Sequence, residues 1–433
     1  MKKINRTDSS MAPRPSIKLN YRRVGQMVLL GSSVLFFSVL ILLRSTLFGA
    51  GQSLNETLQP LSYVPEHGLT LGKVVMSVST SSADLSLQHP LLSSLPGYTK
   101  IFLLLPATST GRVEKWLKDK PYAGQIILLP FETALVGDVD VYLLFPEREK
   151  LVWGTVSGPT PLPKGSTWAQ DLFQVVVAST ETRVVLPDAY KMYFSRETGT
   201  STNLEPDNGF LDSMRKEFHD VRRSMLAFSG GNVILDRRGE ENIVLIGNDL
   251  IRKTTLTWNG TYREPKNDES IVSVLRRTFE ADRVVIVGSG DAQPSLLFHL
   301  DQAMVLLDEG VAGVTRIVGK VEPEYDGEIT QARGFLDDLR KKLSALSYEV
   351  VDIDTTVEHV LARQFFVNAV AYTDKNTRQK TILMPVFGGG KEHRDFEEKN
   401  KNVFEKLGYQ VVPVKSQSYR LNGGIHCLLN VLE

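Results

Sequence analysis

The sequence predicts a mixed α/β chain of several strand-helix-strand units behind one N-terminal membrane-spanning helix, and three observations carry that prediction. An uncharged stretch of twenty residues, 24–43, stands near the N-terminus. Beyond residue 70, apolar runs of strand length alternate with segments of helical period. Those runs are continuous in Val, Ile and Leu rather than alternating with polar residues, the pattern of strands covered on both faces.

At helical rise the segment 24–43 reaches about 30 Å, the thickness of a bilayer's hydrocarbon core. Ahead of it Lys2, Lys3, Arg6, Arg14, Lys18, Arg22 and Arg23 face Asp8 alone, a net charge of +6, whereas Arg44 is the only Lys or Arg from there to residue 70. The basic flank is therefore expected to stay cytosolic and the remainder to be exported. A cleavable signal peptide would need a small residue where Phe48 precedes a cut at Ala50, so the span reads as a retained anchor. The expected organisation is a basic tail (1–23), a single-pass anchor (24–43), a polar stem (44–70) and one folded domain (71–433) in a lumenal, periplasmic or extracellular space. Lys plus Arg equals Asp plus Glu at 50 each, which argues against nucleic acid as a partner. With a single cysteine in the chain, the exported domain rests on a hydrophobic core without an internal disulfide.

Strands are expected at 74–78, 101–105, 125–129, 139–144, 173–177, 233–235, 242–246 and 283–287, each bounded by turn residues, with a helix over 111–120. Further helices are expected at 209–225, 269–279, 329–346 and 394–407, the last closed by Gly408.

The one cysteine, Cys427, lies in Asn422-Gly423-Gly424-Ile425-His426-Cys427, where a Gly-Gly pair admits close approach of backbone or substrate. A lone thiol is ordinarily a small packed hydrophobe. Three other segments, each setting a polar side chain in an apolar context, favour a nucleophile. Trp168-Ala169-Gln170-Asp171 places a carboxylate beside an aromatic ring. Phe298-His299-Leu300-Asp301, read as a strand, points His299 and Asp301 to one side, and Phe366-Val367-Asn368 places an amide in an apolar strand. By the same rule His426, adjacent to Cys427 on a strand, is expected to face away from it.

In this order and with these neighbours the segments resemble the pentein superfamily of guanidine-modifying enzymes, over roughly residues 71–433. His299-Leu300-Asp301 is similar to the His-Leu-Asp of arginine deiminases, and the ending at Cys427 to that of agmatine deiminases. Trp168 to Asp171 matches the Trp-x-Gln-Asp of peptidyl-arginine deiminases, as do Val367-Asn368, Pro385-Val386-Phe387-Gly388 and the closing His426-Cys427-Leu428-Leu429-Asn430-Val431. The resemblance implies a pentein-like α/β propeller of five ββαβ units. Where arginine and agmatine deiminases carry Glu before a Gly-Gly pair, this chain has Ser229-Gly230-Gly231-Asn232, similar to the Ser-x-Gly-Asn of the peptidyl-arginine enzymes. Gln174 stands where those enzymes place a calcium carboxylate, so calcium dependence does not carry over; no cofactor is expected, with calcium the one ion left open.

What the resemblance implies chemically suits these residue types. A guanidinium is planar, cationic and a fork of donors, and Asp171 and Asp301 would clamp it. Trp168, Asn368 and Asn232 would complete the substrate pocket. Cys427 would attack the central carbon, and His299 would protonate the leaving ammonia and then activate water. The expected substrate is arginine within a peptide or protein, with agmatine, free arginine or an amidinotransferase reaction as the alternative. A type II membrane glycosyltransferase using Asp138 and Asp140 or Asp352 and Asp354, or a pentein domain that only binds, is a lesser expectation.

Overall fold

The computed structural model describes residues 62–432 except 79–84, 123–124, 132–134, 137–138, 146–149, 157–159, 162–168, 179–181, 188–190, 196–199, 205–217, 219, 261–267 and 290–292. The predicted tail, the span 24–43 and the stem as far as residue 61 lie outside the described residues. Among the described residues no helix is long and apolar enough to cross a membrane.

Five sheets share one direction pattern, an antiparallel pair followed by a parallel strand. In the first, the C-terminal strand Leu429–Val431 runs antiparallel to Lys73–Ser77, which is parallel to Lys100–Pro106, and Ile126–Phe131 adds a fourth strand. The second joins Gln174–Val177, Thr182–Leu186 and Asp220–Arg223. Val233–Arg238, Glu241–Gly247 and Arg283–Val287 form the third, and Met304–Asp308, Val311–Val318 and Glu349–Thr356 the fourth. Val370–Thr373, Lys380–Val386 and Gln410–Lys415 make the fifth.

The parallel step demands a crossover, and in the last three sheets a helix supplies it. Asp326–Ala345 shows why the sequence folds so. Ile329, Ala332, Phe335, Leu336, Leu339 and Leu343 recur at three- and four-residue intervals and are all buried, making one apolar stripe laid on the fourth sheet. Lys391–Lys406 covers the fifth sheet, and Gly408 beyond it takes φ +86°, the left-handed conformation that ends a helix cheaply only at glycine. Several strands are buried over nearly their whole length, as Lys100–Pro106 is after its first residue and Glu241–Gly247 likewise, because both faces are covered.

Three sequence expectations need correction. The predicted helix 209–225 holds the strand Asp220–Arg223, pulled into the sheet by pairing with Thr182–Leu186 and by the Arg183–Asp220 ion pair at 2.7 Å. A helix not foreseen, Asp249–Gly260, precedes Asp268–Phe279 in the third unit's crossover. The stem was drawn too long: Tyr63 bridges Ala178, the Val64 N–H donates to the Val177 carbonyl, and Tyr63 and Leu69 are buried. Residues 62–70 thus belong to the folded domain, and their turn Glu66–Gly68 packs on the first strands of the third, fourth and fifth sheets.

Candidate active site

Cys427 lies on a single 3-10 turn, His426–Leu428, leading into the closing strand. Its thiol is 3 % exposed and donates to Asp301 Oδ2 at 3.1 Å. Asn368 holds this turn from the far side. The Asn368 Oδ1 accepts the His426 N–H at 2.9 Å and the Cys427 N–H at 3.4 Å, while Nδ2 donates to Sγ at 3.3 Å and to the Asp301 carbonyl at 3.1 Å. Gly424 is required here, because a Cβ on it would run into the Asn368 amide.

His299 and Asp301 reach the thiol from a second turn. The sequence reading put them on a strand; instead His299 precedes the 3-10 turn Leu300–Gln302, and the Gln302 Oε1 accepts the His299 N–H. The two side chains still converge, because this turn packs on Gly230–Asn232, where a Cβ on Gly231 would stand 2.9 Å from His299 Nδ1 and 3.0 Å from Asp301 Oδ2. Donor atoms of His299, Asp301 and Cys427 all lie within 4.8 Å of one another. Asn368 likewise sits in a turn ahead of Val370–Thr373, not within a strand.

His426 departs most from expectation. A strand would have turned it away from Cys427, but on a 3-10 turn both side chains reach one carboxylate, with His426 Nδ1 3.2 Å from Asp301 Oδ2. Burial raises the proton affinity of Asp301, yet the hydrogen bond and charge of His426, then His299 and the thiol, outweigh it and hold the carboxyl below its usual range. For His426 burial favours the neutral ring, but Asp301 and then Glu66 prevail and shift its pKa upward. Asp301 therefore stays ionised beside the thiol. Its Oδ1 is buried without a hydrogen-bond partner, an acceptor aimed at nothing in the protein.

Glu66 was hidden in the presumed stem. Its Oε1 lies 3.9 Å from His426 Nε2 across a cavity also lined by Gln170, Gln174 and Asn430. Burial pushes its carboxyl up to about 7, against the pull of His426 and with the repulsion of Asp301 and Asp236.

The remaining expected residues are placed as follows. Asp171 belongs to the short helix Ala169–Leu172, which packs on the turns of Cys427 and Gly231; its side chain, and Trp168 entirely, lie outside the described residues. Asn232 is buried and donates to Gln293 Oε1 at 3.0 Å, leaving its own Oδ1 unpartnered. Gln174 donates to the Val233 carbonyl and accepts from Gln170. The glycosyltransferase acids fare poorly. Asp354 is paired with Arg316 and Lys399, and Asp352 with Arg316 and Arg340, so the charge of both carboxylates is already met by basic side chains. Asp138 lies outside the described residues, and Asp140 is in the strand Val139–Phe145.

Residues 132–430 match the sequence model of the Porphyromonas-type peptidyl-arginine deiminase family, more than half of the 433. The chain belongs to that family. No curated protein matches it. Among solved structures, agmatine deiminase of C. jejuni is 13 % identical with a TM-score of 0.54 over 88 % of this chain and 99 % of its own. Agmatine deiminase of Enterococcus faecalis is 14 % identical with a TM-score of 0.56 over 86 % and 95 %. At such identity the likeness speaks for the fold, which is pentein-like.

Proposed function

We propose that the protein hydrolyses the guanidinium of peptide- or protein-bound arginine to a ureido group, releasing ammonia. The observation that carries this reading is the meeting of Cys427 Sγ with ionised Asp301 at 3.1 Å, His299 alongside, and a buried Asp301 oxygen left without a partner. An unpaired buried carboxylate oxygen is costly, and a guanidinium N–H would satisfy it. Asp171 would grip the opposite edge of the substrate and Trp168 its face.

With the plane so held, Cys427 gives its proton to His299 and the resulting thiolate adds to the central carbon. The C–N bond breaks as His299 passes a proton to the departing amine, leaving an S-alkyl thiouronium on Cys427. His299, now neutral, takes a proton from water and the hydroxide adds; the C–S bond then breaks as the hydroxyl proton passes to sulfur, thiol and ureido product part, and His299 returns its proton to the solvent or the released ammonia. Asn368 is assigned to positioning rather than to substrate, since its amide is committed to Cys427, His426 and Asp301. The family match and Ser229 in place of the glutamate of small-guanidine enzymes support a peptide substrate. Five like-patterned sheets, the first completed by the C-terminal strand, support a pseudo-fivefold ring with this site near its axis. The segment 24–43 would tether the domain outside the cytosol.

Incubating the full-length protein with an arginine peptide and with agmatine tests this. Ammonia release with a peptide mass gain of about 1 Da is the expected result. Turnover of agmatine alone would remove the peptide reading, and product formation that survives Cys427→Ala would remove the mechanism.

A further inference from the structure

A chain of contacts leads from the nucleophile to a residue outside every recognised motif. Cys427 meets Asp301, Asp301 meets His426, and His426 Nε2 faces Glu66 at 3.9 Å. The segment bearing Glu66 is itself fixed. The Val64 N–H is held by the Val177 carbonyl, and the turn packs on first strands of three sheets. A glutamate so placed determines where the imidazole can stand, and the imidazole determines which oxygen of Asp301 is occupied and which is left to the substrate. We propose that Glu66 is a positioning residue: through His426 it fixes Asp301, and through Asp301 it holds Cys427 under the guanidinium plane.

The proposal rests on the reading of Cys427 as nucleophile, but its first test does not need turnover. Charged groups around Glu66 are His426 and Asp301 from the site and Asp236 on Val233–Arg238. Of these only His426 would gain from an anion at Glu66. Histidine C2 hydrogen-deuterium exchange, followed by mass spectrometry on the full chain, reads the titration midpoint of each histidine. In Glu66→Gln the His426 midpoint is expected to fall by about 1 pH unit. In the same variant kcat is expected to fall about tenfold with KM within about twofold, because the lost contact orients the reacting groups rather than binding substrate. A His426 midpoint that stays in place overturns the proposal, as does one that moves while kcat holds. If all histidine midpoints move together, signalling a lost fold, Glu66→Asp decides: its carboxylate is one methylene short, a smaller fall at His426 is expected, and no fall overturns the proposal.

Discussion

Asn368 is the residue on which the site's geometry turns, since one amide makes four hydrogen bonds to the cysteine turn and to Asp301. Replacing it with Ala leaves the Asp301 carbonyl without its amide donor in the interior, a cost of about 1–3 kcal/mol, and removes the amide that holds Cys427 Sγ, so the cysteine drifts. Asn368→Ala is therefore expected to lower the unfolding midpoint and to reduce kcat about 100-fold, readable by thermal denaturation and ammonia release. Cys427→Ser should abolish ammonia release, by about 10³ or more, while an arginine peptide still binds. Cys427, His299, Asp301 and Asn368 were legible in the sequence because each carries a reactive or polar group in a short motif amid apolar neighbours. His426 was misread because its direction depends on a 3-10 turn rather than a strand, and Glu66 was missed because no motif marks a lone carboxylate in a polar stretch.

At the scale of elements, the strand Val233–Arg238 and the segment 62–70 carry buried acids that respond to pH. Burial pushes Asp236 up to about 6, against the hydrogen bond from Tyr348, so the folded state holds a proton that the unfolded chain releases nearer 3.8. Its contribution to stability is full below the unfolded value and is lost as pH rises through about 6. Asp236→Asn should therefore flatten the fall in denaturant midpoint between roughly pH 4 and 6, a difference seen by comparing the two unfolding curves. The segment 62–70 invites a truncation. A chain starting at residue 71 loses buried Tyr63, its hydroxyl bond to the Phe279 carbonyl, and Glu66, and should be less stable by about 3 kcal/mol or more than one starting at residue 60. Strands and long helices were readable because hydrophobic period reports which face is buried. The strand Asp220–Arg223 was not, because its pairing partner lies some forty residues away and the local pattern suits a helix equally well.

Over the whole molecule, the last strand closes the first sheet: Val431, Asn430 and Leu429 pair with Val74, Val75 and Met76, and the Leu432 N–H donates to the Lys73 carbonyl. Deleting residues 429–433 should expose the edge of Lys73–Ser77 and release Cys427 from its place, so the truncated protein is expected to lose both its cooperative unfolding transition and ammonia release. The proposed anchor is checked by mass: membrane-bound protein with an intact N-terminus is expected, and a mature chain starting near residue 51 would show cleavage instead. Hydropathy, strand and helix period, and short polar motifs, all local properties of consecutive side chains, determined the α/β class, the candidate span and the candidate site residues. Only the tertiary structure decided that the histidine beside the cysteine shares the Asp301 carboxylate with the thiol and faces a glutamate from before the first strand on its other side, because contacts between distant turns follow from how separate sheets pack and no periodicity along the chain encodes them.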